Sequence, residues 1–290
     1  NGRVAISGPG KPYFVGKHEA FGFDTLLSEA PPATAIAEED CDLGMISKKA
    51  IEELIQHIER LETKSIRPIL YPLDSLKKHR ILGAGSFGMV WLVSPKSQKN
   101  EENKDLFALK IQKKRVILDN KQVQGVMREM AVMAELNHPF IVKLVNVYMD
   151  PGNILMLMKL IPGCELYEVM QQNYGMKGFP EQHAKFYAAG ILEGLCYMHN
   201  RNIAYRDLKA ENVMVDGEGY PVIIDLGFAK RITEKTFTMC GTPLYLAPEV
   251  ILGRGHDTGC DYWSWGVLIH EMLAGMTPFE RYAADHGLLF

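Results

Sequence analysis

A glycine-rich segment in the first third of the chain is the feature that most restricts how this sequence can fold. The segment Gly83-Ala84-Gly85-Ser86-Phe87-Gly88 has the G-x-G-x-x-G spacing that is also found in dinucleotide-binding folds. In those folds the loop leads from a strand into a helix, and an acidic residue ends the next strand about 20 residues later. Here the loop leads into a strand pattern, Val90-Trp91-Leu92-Val93, and Asp105 precedes the next strand instead of ending it. The segment therefore predicts a strand–turn–strand hairpin, whose backbone N–H groups can approach phosphate oxygens without interference from a Cβ atom.

A hairpin that covers a nucleotide in this way calls for a cation on the following strand and a carboxylate that holds the cation. Lys110 ends the strand pattern Phe107-Ala108-Leu109-Lys110. Glu129 lies in the helical pattern from Val126 to Leu136, where the simplest alternative is an exposed helical glutamate. Because the glycine hairpin precedes both residues, we predict that Lys110 and Glu129 pair beneath it.

Composition excludes several broad classes of protein. The chain has 290 residues, of which 47% are hydrophobic and 23% charged, so it is globular rather than disordered throughout. The net charge of −3 gives no basic excess for nucleic acid, and no apolar run reaches the roughly 18 residues that span a bilayer. The five cysteines form no C-x-x-C pair, so neither a zinc site nor a disulfide framework is predicted, and a cytoplasmic location is expected.

The pattern of the chain changes near residue 55. Residues 1–54 read as short strands interrupted by glycines and prolines, followed by helical spacing that continues through Ile58 and Leu61. We expect a partial domain over residues 1–54, a helical linker over 55–72 and a second domain over 73–290. In the second domain, strand patterns come first and helical patterns such as Glu181–His199 come later, which predicts a two-lobed α+β fold.

The helix predicted over Val126–Leu136 carries several methionines. Its core-facing stripe is predicted to consist of Met127, Met130, Met133 and Ala134, because a methionine stripe is more typical of core packing than of a cofactor site.

Three later motifs carry a more specific resemblance. The segment Tyr205-Arg206-Asp207-Leu208-Lys209-Ala210-Glu211-Asn212 matches the catalytic loop of protein kinases, H-R-D-x-x-x-x-N. Asp225-Leu226-Gly227 stands where the D-F-G motif is expected, and Ala247-Pro248-Glu249 is the A-P-E motif. The chain from about residue 73 to 290 thus resembles protein kinases. It is most similar to the cyclic-nucleotide-dependent members of the AGC group, through Asn137-His138-Pro139-Phe140, Phe228-Ala229-Lys230 and Thr238-Met239-Cys240-Gly241-Thr242-Pro243.

The resemblance implies phosphoryl transfer from ATP, which depends on positioning and charge neutralisation. The resemblance implies that Lys110 would hold the α- and β-phosphates and that Glu129 would orient Lys110. Asp207 would accept the proton of the substrate hydroxyl. Lys209 would offset the negative charge that develops on the transferred phosphoryl group.

The resemblance also implies a nucleotide and metal site. Asn212 and Asp225 would hold Mg²⁺, a hard cation that prefers oxygen ligands. Met158 would be the gatekeeper of the adenine slot, and Glu165 would contact the ribose. The remaining residues implied at the nucleotide are Gly83, Gly85, Ser86, Phe87, Gly88, Val90, Ala108 and Met214.

Regulation through the activation loop follows from the same resemblance. Thr238 matches the phosphothreonine of similar kinases, and a phosphate there would add nearly two negative charges. Arg206 and Lys230 are the expected receivers of that phosphate. The alternative is that Thr238 is an ordinary loop threonine.

Substrate choice is implied by three glutamates at positions where similar kinases contact arginines that precede the target residue, namely Glu165, Glu211 and Glu271. Carboxylates along one groove favour basic peptides through charge-assisted pairs. An apolar pocket for the residue after the target would be formed by Met239, Pro243 and Leu246. By resemblance, Lys209 and Thr242 favour serine or threonine as the acceptor.

The sequence departs from the kinase pattern in three ways. Leu226 replaces the usual phenylalanine of D-F-G and is expected to fill the same apolar slot, and Ala210 replaces the common proline of the catalytic loop. The chain also stops at Phe290, so the C-lobe is expected to be truncated. An arginine partner of Glu249 would lie in the missing helices, and whether the truncated chain is active alone stays open.

Residues 1–54 resemble part of a cyclic-nucleotide-binding domain, a β-roll. The resemblance rests on the segments Phe21–Leu27 and Pro31–Thr34. Phe23 and Pro32 stand in place of the glutamate and arginine that grip the nucleotide, so this part is predicted not to bind cyclic nucleotide. The arrangement resembles a cGMP-dependent protein kinase with intact sensors farther upstream, whereas the alternative is an unrelated β-rich domain.

Three functions remain to be compared. The first is a Ser/Thr protein kinase, the second a nucleotide-binding pseudokinase or regulatory scaffold, and the third a cyclic-nucleotide sensor. The presence of Lys110, Asp207, Asn212 and Asp225 favours the first, and Phe23 counts against the third. Regulation by cGMP cannot be told from regulation by cAMP at this level.

Overall fold

A computed structural model describes residues 4–7, 13–15, 34–37, 71–85, 88–96 and 105–283. The chain divides into two compact units, residues 1–70 and 71–290. The first unit contains a three-stranded antiparallel sheet of β1 (Val4–Ser7), β2 (Tyr13–Val15) and β3 (Thr34–Ala37), in the order β2–β1–β3. The segment around Phe23 and Pro32, and the predicted linker helix, lie outside the described residues.

The second unit begins with a five-stranded antiparallel sheet in the order β4–β5–β6–β8–β7. Its strands are β4 (Leu76–Gly85), β5 (Gly88–Pro95), β6 (Phe107–Lys113), β7 (Leu144–Met149) and β8 (Asn153–Lys159). The glycine segment forms the β4–β5 hairpin, in which Gly85 lies opposite Gly88. A Cβ atom at Gly88 would lie 1.7 Å from the carbonyl oxygen of Ile111, so only glycine fits this close approach of β5 to β6. The predicted hairpin is therefore confirmed, and the dinucleotide-binding alternative is wrong.

Two helices separate β6 from β7, namely α1 (Lys114–Asp119) and α2 (Val123–Glu135). The methionine stripe predicted for α2 is half wrong. Met130 and Met133 are buried, but Met127 is 50% exposed and Ala134 is exposed. The buried stripe runs instead through Val126, Glu129, Met130 and Met133, in which residues three and four positions apart lie on one face. Val132 is buried as well, whereas Met127 lies about a quarter turn from the stripe.

The remainder of the second unit is mainly helical. Its helices are α3 (Leu166–Asn173), α4 (Glu181–His199), α5 (Pro248–Ile251) and α6 (Gly259–Ala274). Short strands form two small sheets. One joins β9 (Gly163–Glu165), β11 (Val213–Asp216) and β12 (Pro221–Ile223), and the other pairs β10 (Ile203–Ala204) with β13 (Lys230–Arg231). The predicted α+β fold, with a β-rich first lobe and a helical second lobe, is confirmed.

Two apolar clusters lie on opposite faces of the five-stranded sheet. The larger contains buried side chains of α2, α4 and α6 together with Met156 of β8. The smaller contains Val93, Leu109 and Leu157, with neighbours at the same outer face. No helix among the described residues is long and apolar enough to cross a membrane.

Candidate active site

A buried ion pair joins the sheet to α2. The Lys110 Nζ atom lies 2.6 Å from Glu129 Oε1 and 3.6 Å from Asp225 Oδ1. Burial disfavours the charged amine, but the carboxylates of Glu129 and Asp225 outweigh burial and raise the pKa of Lys110. The lysine therefore stays charged at the point where the sheet, α2 and the loop after β12 meet.

Asp207, the aspartate of the catalytic-loop motif, is held by the side chains of Asn212 and Thr242. Asn212 Nδ2 donates to Asp207 Oδ2 at 2.9 Å, and the Thr242 hydroxyl donates to Asp207 Oδ1 at 2.9 Å. Burial raises the pKa of Asp207 and Asp225 adds to the rise, whereas Lys209 and the two hydrogen bonds oppose it. A fixed carboxylate with a raised pKa is suited to accept a proton.

Asp261 supports the same loop from α6. It is fully buried, and its carboxylate accepts hydrogen bonds from the backbone N–H groups of Tyr205 at 2.8 Å and Arg206 at 2.7 Å. His199 Nε2, on α4, lies 2.8 Å from Asp261 Oδ2. Asp261 was not predicted from the sequence, although an aspartate within the apolar helical pattern Cys260–Trp265 is the kind of buried polar residue that needs partners.

The residues predicted at the adenine slot share the face of the sheet that carries Lys110. Val90 lies opposite Lys110 in the β5–β6 register, and Ala108 lies opposite Met158 in the β6–β8 register. Because directly paired residues and residues two apart point to one face, these side chains lie together. Across the cleft, Met214 of β11 lies opposite Glu165 of β9. Ser86 and Phe87 lie outside the described residues.

The three predicted substrate glutamates influence one another. Glu165 has a raised pKa because of burial, with contributions from the charges of Glu168 and Glu211. Glu271 accepts a hydrogen bond from the Tyr245 hydroxyl, and burial raises its pKa to about 7, with Glu211 adding to the rise. The three positions therefore belong to one negatively charged region.

The predicted apolar pocket is only partly assembled. Leu246 is buried against Ala247, Val250 and Cys260, whereas Met239 and Pro243 are exposed.

Comparison with known proteins agrees with this geometry. The family model described as the protein kinase domain matches residues 76–287. This chain belongs to the protein kinase family. A cAMP-dependent protein kinase catalytic subunit of Dictyostelium discoideum is 41% identical over 71% of this chain and 31% of its own length. A cGMP-dependent protein kinase of Toxoplasma gondii is 35% identical over 95% of this chain and 28% of its own length. The human cAMP-dependent protein kinase catalytic subunit PRKX is 38% identical over 87% of this chain and 68% of its own length.

These relatives confirm the resemblance of this kinase to the cyclic-nucleotide-dependent members of the AGC group. The chain spans about a third of the length of the first two relatives. Protein kinases use ATP and Mg²⁺, in which the metal bridges phosphate oxygens and neutralises their charge.

The residues of this kinase fit a magnesium ion that is shared with a nucleotide. Asn212 Nδ2 donates to Asp207, which leaves the Asn212 amide oxygen as a ligand, and the Asp225 side chain is half exposed to the cleft. No group of three His, Cys, Asp or Glu residues in the described part of the chain could hold a metal by itself. Mg²⁺ is commonly bound by one or two protein oxygens plus substrate phosphates, so Asn212 and Asp225 are a suitable protein share of its ligands.

The activation segment of the kinase brings three cations together. Arg206 is buried, its Nε atom donates to the Phe228 carbonyl at 2.9 Å, and its Nη1 atom is buried without a hydrogen-bond partner. Lys230 Nζ donates to the hydroxyl of Thr236 at 2.8 Å. Burial lowers the pKa of both Arg206 and Lys230, and the charge of Arg128 on α2 lowers both further. Arg206 and Lys230 were predicted from the sequence, but Arg128 was not, because nothing in the sequence around Arg128 links it to the activation loop.

The two substitutions within the kinase motifs are accommodated. Leu226 is fully buried in the larger apolar cluster, as expected for the slot of the usual phenylalanine, and Ala210 is buried as well. Asp225 has a φ of 53°, which places the residue before Leu226 in the left-handed region.

Proposed function

We propose that this kinase transfers the γ-phosphoryl group of ATP to serine or threonine in proteins with basic residues before the target. The observation that carries the proposal is the contact of Lys110 with both Glu129 and Asp225, beside an Asp207 that is fixed by Asn212 and Thr242. This arrangement supplies one cation for the phosphates, oxygen ligands for Mg²⁺ and one carboxylate for the acceptor hydroxyl.

The proposed roles follow from these positions. Lys110 holds the α- and β-phosphates and Glu129 keeps Lys110 in place. Asn212 and Asp225 hold Mg²⁺, which offsets the phosphate charge. Asp207 orients the acceptor hydroxyl and takes its proton, and Lys209 reduces the negative charge on the transferred group.

The preference for basic substrates is supported by the acidic region of Glu165, Glu211 and Glu271. A guanidinium group placed among these carboxylates gains charge-assisted hydrogen bonds. It also offsets the carboxylate repulsion that adds to the larger effect of burial in raising the pKa values of Glu165 and Glu271. A substrate without a cation would leave this repulsion in place. Ser/Thr selectivity is supported by the position of Thr242, whose hydroxyl lies against Asp207 at the acceptor position.

Regulation is proposed at two levels. A phosphate on the exposed Thr238 would be received by Arg206 and Lys230, with Arg128 as a third cation, and would order the activation segment. Upstream domains outside this chain would carry cyclic-nucleotide regulation. Within the chain, residues 1–54 would be a degenerate cyclic-nucleotide-binding part, 55–72 a linker and 73–290 a kinase domain, in a cytoplasmic protein.

A peptide phosphorylation assay tests the proposed function. We expect MgATP-dependent transfer to a serine peptide with two preceding arginines, and a roughly tenfold or greater loss of kcat/KM when either arginine becomes alanine. Asp207→Asn should lower kcat by about 10² or more, because it removes the proton acceptor. The control Asp74→Asn changes an exposed aspartate outside the cleft and should leave kcat unchanged.

Two results would contradict the proposal. MgATP binding without transfer to any Ser/Thr peptide would favour the pseudokinase alternative. Transfer that does not depend on the peptide arginines would overturn the preference for basic substrates.

A further inference from the structure

The side chain of Arg231 on β13 connects two elements that lie on either side of it. Its Nη2 atom lies 2.5 Å from Glu135 Oε2, at the C-terminal end of α2. Its Nη1 atom donates to the carbonyl oxygen of Arg201 at 2.7 Å, just after α4. The planar guanidinium group can make both contacts at once, whereas the ammonium group of a lysine cannot reproduce this fork.

The charge of Glu135 is unfavourable for α2 when the helix is considered alone. Glu135 is the last residue of α2, and the last turn contains no basic residue. A carboxylate at a helix C-terminus meets the negative end of the helix dipole, which disfavours its charge. Arg231 supplies from another element the positive charge that this end of α2 lacks.

A second contact holds the same end of α2. The backbone N–H of Asn137 donates to the Tyr197 hydroxyl of α4 at 3.2 Å, and the guanidinium group of Arg201 lies 3.7 Å from the centre of the Tyr197 ring. The C-terminal end of α2 is therefore held at Glu135 by β13 and at Asn137 by α4. Two separate attachments restrict rotation of the helix as well as its translation.

Charge repulsion acts on α2 closer to its middle. Arg128 lies near Arg206 and near Lys230, which directly precedes Arg231 on β13, and the three cations disfavour one another. The ion pair of Glu135 with Arg231 thus attracts α2 to β13, while Arg128 is repelled by the adjoining residue of β13. Glu129 is the neighbour of Arg128 in sequence, so any displacement of α2 also moves the partner of Lys110.

We propose that Glu135 and Arg231 are a positioning pair that holds α2 in place, so that Glu129 stays with Lys110 when the activation segment carries no phosphate. This inference rests on the roles proposed above for Lys110 and Glu129. The pair acts through α2 and touches neither ATP nor substrate. Because both side chains are 40–49% exposed, the pair contributes little to global stability, and its effect is expected in the kinetics.

A double-mutant cycle tests the pair in the full chain. Glu135→Gln and Arg231→Gln should each weaken MgATP affinity, measured by calorimetry, by about fivefold, which corresponds to an exposed ion pair of about 1 kcal/mol. The double variant should bind MgATP no more weakly than the weaker-binding of the two single variants. The exchange Glu135→Lys with Arg231→Glu restores opposite charges but not the bond to the Arg201 carbonyl, so it should bind MgATP more tightly than the double variant but less tightly than the unchanged protein. Phosphorylation of Thr238 should reduce the effect of either single change.

The matched control is the pair Glu181 and Lys185 on α4, which is joined at 2.7 Å and is also exposed. The corresponding changes to glutamine at Glu181 and Lys185 should leave MgATP affinity within twofold of that of the unchanged protein. The inference would be overturned by single variants whose MgATP affinity stays within twofold of the unchanged protein, by additive losses in the double variant, or by an exchange that binds MgATP no more tightly than the double variant. Calorimetry measures MgATP binding without phosphoryl transfer. If the double-mutant cycle gives the expected affinities but the protein does not phosphorylate peptides, only the proposed function is contradicted.

Discussion

Glu271 combines burial, a hydrogen bond and a position near other carboxylates. It lies on α6 with 7% of its surface exposed, and its Oε2 atom accepts the Tyr245 hydroxyl. Burial, with help from Glu211 and Glu280, raises its pKa from 4.5 to about 7, although the bond from Tyr245 opposes the rise. At neutral pH this carboxyl group is therefore close to half protonated.

The raised pKa of Glu271 predicts how the unfolding free energy depends on pH. The folded protein holds the proton more tightly than the unfolded chain, so the stabilising contribution is complete below pH 4.5 and is lost as pH rises to about 7. Glu271→Gln keeps an acceptor for Tyr245 and cannot ionise. Urea unfolding should therefore show the variant gaining stability over the unchanged protein across this range, by on the order of 3 kcal/mol at pH 8.

The control for this prediction is Glu218→Gln, which alters an exposed glutamate in a turn. Its stability difference should not change with pH over the same range. A difference for Glu271→Gln that is equally flat would show that the carboxyl group ionises normally in the folded protein.

Single residues differ in how far the sequence could predict them. Lys110, Asp207 and Asn212 were predictable because each occupies a fixed position in a local motif. Asp261 and Arg231 act on residues that are far away in the sequence, and their partners depend on which helix passes beneath the catalytic loop and on where α2 ends. Such partnerships are set by tertiary packing, so no local pattern identifies them.

The activation segment is the element whose behaviour should depend most on covalent modification. Thr238 is exposed. Thr236, two residues earlier, is buried, and its hydroxyl already accepts a hydrogen bond from the Lys230 ammonium group. Arg206 keeps one buried Nη1 atom without a partner. An anion that enters this group of cations would satisfy that atom and relieve the repulsion from Arg128.

Phosphorylation of Thr238 is therefore expected to raise activity. Thr238→Ala should lower kcat/KM, and Arg128→Gln should reduce the gain that phosphorylation gives, because one of the three receiving cations is lost. Thr233→Ala, an exposed threonine of the same segment, is the control. Mass spectrometry that finds Thr238 unmodified in active enzyme, together with full activity of Thr238→Ala, would refute this role.

Elements also differed in how well the sequence predicted them. The hairpin of β4 and β5 and the long helix α4 were predicted because their glycine spacing and apolar periodicity are strong local signals. The strands β10 and β13 have two residues each, too few for any period, and form only because the chain segments around them are held together. The prediction that Met127 of α2 faces the core was wrong for a similar reason. Its residue type indicated burial, but the elements packed against α2 determine which face of the helix is covered.

At the scale of the whole molecule, the apolar clusters do not follow the two lobes. The inner cluster joins α2 and Met156 of the β-rich lobe to α4 and α6 of the helical lobe. The outer cluster, with Val93, Leu109 and Leu157, belongs to the sheet alone. Strand β8 contributes Met156 to the inner cluster and Leu157 to the outer one, whereas β4 and β5 contribute only to the outer cluster. Because cooperative unfolding units follow shared buried contacts, we expect β4 and β5 to open separately from α2.

Hydrogen exchange should reveal this division. Amides of α2 should exchange at rates similar to those of α4 and α6, whereas amides of β4 and β5, whose buried side chains belong only to the outer cluster, should exchange earlier. Exchange of α2 together with β4 and β5 instead would contradict the division.

The hairpin of β4 and β5, which carries the glycine segment, can vary in evolution apart from α2. Because β4 and β5 are expected to open without disturbing the helix that carries Glu129, substitutions in these strands should alter how quickly nucleotide enters and leaves while the partner of Lys110 stays in place. In this kinase, mutation should therefore be able to change the rate of nucleotide exchange separately from the alignment of the phosphates.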